Sequence, residues 1–194
     1  TVVVGDVMTD VLTSVRDRVA DDPLPDGVAG GGYYVATIHR PDNTDDPAHL
    51  RGIVDGLAGL DKPVLLLAHP RLVHTAERMG VELARGAVQV REPLAYPQLV
   101  RAVMGAAGVV TDSGGLQKEA FLLRTPATTV RPETEWVETV DLGWNLLVAP
   151  EAEAITAAVG RPAPADTDEA PYGDGNAASR VVDELLQRAL ITRS

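Results

Sequence analysis

The sequence predicts an α/β protein built on a doubly wound, parallel β-sheet. Between residues 33 and 160, short apolar runs of four to six residues alternate with amphipathic stretches about ten residues long. This alternation is typical of β-α-β units, whose strands pair in parallel and are covered by helices. The apolar runs suit strands that are buried on both faces. A length of 194 residues fits one medium domain.

The chain opens with a predicted helix and a predicted linker. Residues 1–20 form an initial segment whose apolar residues repeat every four positions, which indicates one buried helix face. These residues are Val7, Val11, Val15 and Val19, with Met8 and Leu12 beside them. Residues 21–32 are rich in Asp, Pro and Gly and break this periodicity, so they predict a linker.

The main domain is predicted over residues 33–176. Its strands are expected at 33–38, 64–67, 88–90, 109–110, 127–130 and 145–148. The helices between and after them are expected at 47–57, 72–79, 97–107, 116–123, 137–142 and 151–159, with Asp46 as an N-cap before Pro47 and Gly80 as a stop. Residues 161–176 form a long connection, and an amphipathic helix over 177–194 closes the chain.

The amino-acid composition excludes several classes of binding partner. A formal net charge of −11 argues against a broad nucleic-acid or anionic-membrane surface, so an anionic ligand must be held locally. The sequence contains no run of 18 apolar residues, so it predicts no membrane-spanning helix. The absence of cysteine favours a cytosolic protein, and the four histidines lack the spacing of a metal site. The chain begins at Thr1 without an initiator Met or a signal segment, which suggests a piece of a longer protein.

The sharpest motif runs from Thr111 to Ala120, directly after a predicted strand. Two adjacent glycines, Gly114 and Gly115, are costly at a helix start unless another group must approach the backbone closely. A phosphate supplies that reason, because free N–H groups and the helix dipole would face it. The alternative is a plain N-cap in a tight turn, and the two interpretations have about equal weight. We expect Gly115→Val to block a phosphate and to strain the turn.

A second candidate site follows the first strand of the repeating unit. His39 and Arg40 would offer a diphosphate one titratable group and one permanent cation. Taken alone, an exposed His-Arg pair is more often a surface loop. Neither G-x-G-x-x-G nor G-x-x-x-x-G-K-[ST] occurs, which removes the best support for dinucleotide or ATP chemistry.

Taken together, the motifs resemble the carboxy-terminal domain of non-hydrolysing UDP-N-acetylglucosamine 2-epimerases. The matching segments, in the family's order, are 37–40, 92–96, 111–120, 131–139 and 172–177. The resemblance covers essentially the whole chain and implies a Rossmann-like domain, the second half of a two-domain glycosyltransferase-B-type fold. It also implies UDP and UDP-N-acetylhexosamine as ligands, no cofactor, an amino-terminal domain absent from this chain, and a homodimer of the longer enzyme.

The resemblance assigns roles residue by residue. His39 matches the family's active-site histidine, Glu119 its ribose-binding carboxylate, and Leu99 a backbone contact to uracil at which side-chain changes are tolerated. The phosphate-binding residues would be Ser113, Gly114 and Gly115, with Arg40 and Arg131 as further candidates. The chain departs from the family at Asp42, where Glu is common, and at Trp136, where many members have an Arg that reaches the nucleotide.

The implied reaction inverts C2 of the sugar by eliminating UDP and adding it back on the other face. The family's acid and base carboxylates lie in the absent domain, so we expect this chain to bind UDP weakly and to have no epimerase activity alone. Two alternatives remain open: the donor-binding domain of a nucleotide-sugar glycosyltransferase, and a free-standing nucleotide-binding module.

Overall fold

A computed structural model describes residues 1–191 and contains a six-stranded, fully parallel sheet. The spatial order is β3-β2-β1-β4-β5-β6. The strands are β1 (Tyr34–Thr37), β2 (Val64–Leu67), β3 (Val88–Arg91), β4 (Gly108–Thr111), β5 (Ala127–Val130) and β6 (Asn145–Val148). This is the strand order of a Rossmann fold, so the predicted fold class is confirmed.

The helices lie mainly between the strands. They are α1 (Val7–Val19), α2 (Pro41–Thr44), α3 (Pro47–Ala58), α4 (Pro70–Met79), α5 (Tyr96–Gly105), α6 (Gly114–Leu122), α7 (Val137–Asp141), α8 (Ala152–Val159) and α9 (Ala177–Ile191). Residues 192–194 of the predicted closing helix lie outside the described residues. Across residues 1–191, no helix combines the length and apolar character needed to cross a membrane.

Two apolar layers cover the sheet, one on each face. Residues of α3, α4 and α8, such as Leu50, Leu72 and Ile155, pack on one face. Residues of α5 and α6, such as Val103 and Leu116, pack on the other. Burial on both faces explains why the strands read as apolar runs rather than alternating patterns.

Local signals in the sequence account for several helix ends. The Asp46 carboxylate accepts hydrogen bonds from the N–H groups of Ala48 and His49, as expected of an N-cap before a proline. Gly80 ends α4 in the left-handed conformation at φ 66°, which glycine adopts without a steric penalty. These two boundaries were predicted correctly.

The structure corrects three local predictions. In α1, the predicted Leu12, Val15 and Val19 are buried together with Thr9, whereas the predicted Val7, Met8 and Val11 are about half exposed, at 50%, 48% and 48%. A one-turn helix, α2, occupies part of the loop expected after β1. Helix α6 begins at Gly114, two residues before the expected start, so both glycines belong to its first turn.

Helices α1 and α9, which lie near opposite ends of the chain, pack together. The Asp10 carboxylate on α1 accepts hydrogen bonds from the N–H groups of Ala177 at 3.0 Å and Ala178 at 2.7 Å. These donors belong to the first turn of α9, where N–H groups lack partners within the helix. The contact joins the closing helix to the start of the chain.

Candidate functional site

The strand order places a crevice at the carboxyl ends of β1 and β4. The two strands are neighbours, yet the chain leaves β1 toward β2 and leaves β4 toward β5, on opposite sides. Ligands of open α/β sheets bind where the winding reverses in this way. The residues that follow these strands therefore define the candidate site: 38–40 after β1 and 112–115 after β4.

The turn after β4 contains backbone N–H groups that have no hydrogen-bond partner among the described residues. Ser113 is the N-cap of α6, and the Leu116 N–H faces its Oγ at 3.5 Å. Within residues 1–191, the N–H groups of Gly114 and Gly115 have no hydrogen-bond partner, as befits the first two positions of a helix. The turn can therefore accept an anion at the positive end of the α6 dipole.

The glycines of this turn are not required by its own geometry. A Cβ added at Gly115 would meet nothing within 4 Å, and a Cβ at Gly114 would make ordinary contact with Glu135 Oε2 at 3.5 Å. Neither residue has a positive φ. The expectation that Gly115→Val strains the turn is therefore wrong. Glycine is therefore not needed at these two positions for an unusual backbone conformation, and what it provides is open space beside the backbone.

A buried carboxylate ties the loop after β1 to the turn after β4. The side chain of Asp112 is fully buried. Its oxygens accept hydrogen bonds from the His39 N–H at 3.0 Å, the Arg40 N–H at 2.9 Å and the Asn43 side chain at 3.1 Å. The His39 imidazole is about half exposed and its Nδ1 lies 3.3 Å from Asp112 Oδ1. His39 is thereby held at the crevice beside the phosphate-accepting turn.

Arg40 after β1 and the pair Arg131 and Glu135 after β5 complete the crevice. Arg131 is buried, and its two Nη atoms donate to the two Glu135 carboxylate oxygens, each at 2.8 Å. Arg40 Nη2 lies 3.9 Å from Glu135 Oε1. The hydrogen bonds from Arg131 are the main reason that the pKa of Glu135 falls to about 2. Arg40 and Arg131 therefore converge on one anionic side chain beside Gly114.

Glu119 lies farther along α6 and contacts α5. The Tyr96 hydroxyl donates to Glu119 Oε1 at 2.9 Å. Burial raises the pKa of the Glu119 carboxyl, although the Tyr96 hydrogen bond and Lys118 act in the opposite direction. Burial and the neighbouring Glu119 also raise the pKa of Tyr96. Glu119 retains oxygen lone pairs that can accept hydroxyl donors from a ligand.

Leu99 lies inside α5, and its side chain packs against the α5 and α6 layer. Its N–H donates to the Ala95 carbonyl at 2.9 Å. That N–H is therefore engaged in the helix and is not available to a uracil ring. The expected uracil contact at Leu99 stays a prediction that this donor does not support.

Trp136 packs against the turn at 113–115 and forms a hydrogen bond with its backbone. Its Nε1 donates to the Gly114 carbonyl at 2.7 Å, and Lys118 Nζ lies 4.3 Å from the centre of its ring. Its ring also meets Tyr172 edge to face at 5.5 Å. At the position where the resemblance leads to the expectation of an arginine, this chain has a tryptophan that contacts the turn.

The structure brings most of the predicted residues together. His39, Arg40, Arg131 and the turn at 113–115 lie at one crevice and Glu119 follows on α6. Leu99 lies in α5, where its side chain packs on the apolar layer that contains Leu116 of α6. Sequence reasoning assigned no role to Asp112, Glu135 or Tyr96, although all three stand within the quoted motifs. Among the described residues, no group of three or more His, Cys, Asp and Glu could hold a metal ion.

Comparison with known proteins identifies the family. The family described as UDP-N-acetylglucosamine 2-epimerase matches residues 1–186. A UDP-2,3-diacetamido-2,3-dideoxy-D-glucuronate 2-epimerase from Pseudomonas aeruginosa is 39% identical over 95% of this chain and 52% of its own length. A UDP-N-acetylglucosamine 2-epimerase homolog from Methanococcus maripaludis is 32% identical over 94% of this chain and 53% of its own length.

A solved structure gives the same result. The UDP-GlcNAc 2-epimerase of Methanocaldococcus jannaschii, solved with UDP-GlcNAc and UDP, superposes with a TM-score of 0.79 at 26% identity and covers 96% of this chain and 54% of its own. The chain thus spans about half the length of the relatives it matches. It belongs to the UDP-N-acetylglucosamine 2-epimerase family.

Proposed function

We propose that this chain is the UDP-binding, carboxy-terminal half of a non-hydrolysing UDP-N-acetylhexosamine 2-epimerase. The observation that carries the proposal is the open helix start at Gly114 and Gly115. Among the described residues two N–H groups have no hydrogen-bond partner there, a Cβ on Gly115 would meet nothing within 4 Å, and the Arg131–Glu135 pair and Arg40 lie beside them. Such a combination of helix dipole, backbone donors and guanidinium groups suits a diphosphate.

Each part of UDP has a suitable partner in this arrangement. The diphosphate would lie on the turn at 113–115, with Arg40 and Arg131 neutralising its charge. The ribose would donate its hydroxyl hydrogens to Glu119, whose other partner is the Tyr96 hydroxyl. Because the Leu99 N–H is engaged, we expect a backbone contact to uracil from the loop between β3 and α5.

The proposed reaction inverts C2 through elimination. Removal of the C2 proton accompanies cleavage of the bond between C1 and the UDP oxygen, which leaves a glycal and free UDP. UDP then adds back to C1 while a proton is delivered to the other face of C2. This chain would stabilise the departing diphosphate through His39, the two arginines and the turn. The acid and base at C2 would come from the other half of the enzyme.

An exposed apolar surface supports the need for a second domain. Val7, Met8 and Val11 of α1 are each about half exposed. On α9, Leu185 and Leu186 are exposed to 62% and 58%. Surfaces of this kind commonly mark contacts with another domain. The chain covers about half the length of its relatives, so we assign turnover, and homodimer formation, to the longer protein and expect UDP binding alone from this chain.

A second candidate concerns the sugar. The relative from Pseudomonas aeruginosa is named for a diacetamido-glucuronate substrate and is 39% identical, whereas the Methanococcus maripaludis homolog named for UDP-N-acetylglucosamine is 32% identical. This difference favours testing both sugar nucleotides on the longer protein. Product formation can be monitored through proton exchange at C2. Turnover of only one of the two sugar nucleotides would identify the substrate.

Titration of UDP into the purified chain by calorimetry tests the nucleotide site. Wild type should bind UDP and not uridine, because the diphosphate supplies the contacts at the turn. Gly115→Val should fold normally, since its Cβ meets nothing within 4 Å, and lose about tenfold or more in affinity, or about 1.4 kcal/mol.

Gly30→Val is the matched control. Gly30 is also exposed, has no positive φ, and would bring its Cβ no closer than 3.9 Å to another atom. Its affinity for UDP should equal that of wild type. Normal UDP binding by a folded Gly115→Val variant would contradict the proposed phosphate site.

A further inference from the structure

The Asp112 carboxylate does more than connect two loops, because it also faces the His39 ring. Its two oxygens receive the backbone N–H groups of His39 and Arg40 and the Asn43 amide. The remaining approach to Oδ1 comes from His39 Nδ1 at 3.3 Å. Among residues 1–191, the polar partners found for this fully buried carboxylate are therefore nitrogens.

Hydrogen-bond chemistry decides which ring nitrogen of His39 carries the proton. An ionised aspartate only accepts, whereas a neutral imidazole has one donor and one acceptor nitrogen. The 3.3 Å approach of Nδ1 to Asp112 Oδ1 is an ion-pair contact rather than a formed hydrogen bond, and it favours the Nδ1–H tautomer because a hydrogen, not a lone pair, then faces the carboxylate. Nε2 is then the free nitrogen, on a side chain that is 54% exposed to the crevice.

Asn43 fixes the carboxylate in turn. Its Nδ2 donates to Asp112 Oδ2 at 3.1 Å and to the Val130 carbonyl at 3.0 Å, and its residue is buried. Because both amide hydrogens are used, the Asn43 side chain has one favourable orientation. Asp112 is thus held by the backbone after β1 and by Asn43, which is itself bonded to the end of β5, and it cannot rotate away from His39 without breaking several bonds.

We propose that Asp112 is a positioning residue that fixes His39 as the Nδ1–H tautomer and turns its Nε2 toward the diphosphate. The direction of Nε2 toward a ligand rests on the proposed function, whereas the tautomer follows from the contacts of Asp112 alone. Carboxylates orient histidines in this way in other active sites, where they select the tautomer without touching the substrate.

Other histidines of the chain provide references for a test. His69 Nδ1 accepts a hydrogen bond from the Arg71 N–H at 3.2 Å, which requires the opposite, Nε2–H tautomer. His49 Nδ1 lies 2.8 Å from the Asp42 carbonyl, which requires Nδ1–H. Neutral His39 should therefore resemble His49 and differ from His69.

Long-range proton–nitrogen NMR of the ¹⁵N-histidine-labelled chain, above the titration range of the imidazoles, reads the tautomers directly. We expect the Nδ1–H pattern for His39 in wild type and a shift toward Nε2–H in Asp112→Asn. His49 and His69 should keep their signals. Asp42→Asn removes the same charge from an exposed residue of α2 and should leave His39 unchanged.

The Nε2–H pattern for wild-type His39 would overturn the inference, and that measurement does not depend on the folding of any variant. An unchanged His39 tautomer in a folded Asp112→Asn variant would also overturn it. UDP titration separates the two proposals. Asp112→Asn should lose about tenfold in affinity while Asp42→Asn loses none. Failure of wild type to bind UDP would refute the proposed function and leave the tautomer result standing.

Discussion

Replacing Glu135 with Gln would test how the crevice balances its charges. Glu135 accepts two hydrogen bonds of 2.8 Å from Arg131 and lies 3.9 Å from Arg40. Its Oε2 is also 3.5 Å from the position of a Cβ on Gly114. The carboxylate therefore occupies the edge of the space proposed for the diphosphate. Gln keeps the shape of the side chain and removes its charge.

The effect on stability follows from the pKa of Glu135. The pKa falls from 4.5 to about 2, mainly through the Arg131 hydrogen bonds. At roughly 1.4 kcal/mol per unit, this fall corresponds to about 3 kcal/mol before solvent screening. The side chain is 55% exposed, so screening reduces the expected loss in Glu135→Gln to about 1 kcal/mol. Urea denaturation at neutral pH measures this loss.

The pH dependence has a definite sign. Because the folded-state pKa is lowered, the stabilisation by Glu135 is complete above its unfolded value of 4.5 and is lost as the pH falls toward about 2. The difference in unfolding free energy between wild type and Glu135→Gln should therefore shrink across this range. A difference that stays constant on acidification would show that the ion pair is not its source.

The effect on UDP should run in the opposite direction from the effect on stability. Removing a negative charge about 5 Å from a diphosphate relieves roughly 1 kcal/mol of repulsion in a water-like dielectric, or about fivefold in affinity. Glu133→Gln is the control, because Glu133 is an exposed carboxylate of the same loop that acts on Arg131 only through its charge. Weaker UDP binding by Glu135→Gln would refute this reasoning and show that Glu135 orients Arg131 for the ligand.

The remaining predictions concern α6 and its support. Glu119→Ala should weaken UDP binding by about 1–3 kcal/mol through loss of a charged acceptor, and equal affinities in calorimetry would exclude the ribose contact. Burial raises the Glu119 pKa above 4.5, so wild-type affinity should begin to fall at a higher pH than an ordinary glutamate would cause, a fall that Glu119→Gln should lack. Trp136→Phe removes the 2.7 Å bond to the Gly114 carbonyl and should cost about 1 kcal/mol in thermal unfolding; an unchanged midpoint would contradict this support.

The strands could be predicted closely because most of their residues are apolar and withdrawn from solvent: β1, β2, β4 and β5 are almost entirely buried, whereas the edge strands β3 and β6 are partly exposed. The expected bounds of β2, β5 and β6 agree with the structure. The start of α6 was predicted two residues late, because glycine has a low helix propensity and periodicity begins only at Leu116. A run of apolar residues is thus a strong signal, while a helix start made of glycines is a weak one.

The buried face of α1 could not be predicted from spacing alone. Residues four apart on a helix drift by about 40° per step, so Val7 and Val19 do not share one face. Packing against α5 selects Leu12, Val15 and Val19 and leaves Val7 exposed. The partner of a helix decides which part of its apolar arc is buried.

Some residues of the candidate site could be predicted from their position in the sequence, whereas others depend on partners that only the fold brings near. His39 and Ser113 were predicted because polar residues at strand ends lie at the ligand-binding edge of such a sheet. The roles of Asp112 and Glu135 depend on partners in other parts of the fold: Asp112 contacts a residue 73 positions away. Glu135 faces not only Arg131, four residues before it, but also Arg40. Sequence spacing carries little information about such pairs.

Charge pairing gives a physical reason for the weak UDP binding that we expect. The chain has a formal net charge of −11, so its overall field repels an anion. Within the crevice, Arg131 forms an ion pair with Glu135, and the His39 ring faces the Asp112 carboxylate. Arg40, 3.9 Å from Glu135, and the N–H groups at the start of α6 then supply the attraction for an anion, and the N–H groups are dipoles rather than full charges. Tight binding of a sugar nucleotide would need further donors or cations, which the proposed function assigns to a second domain.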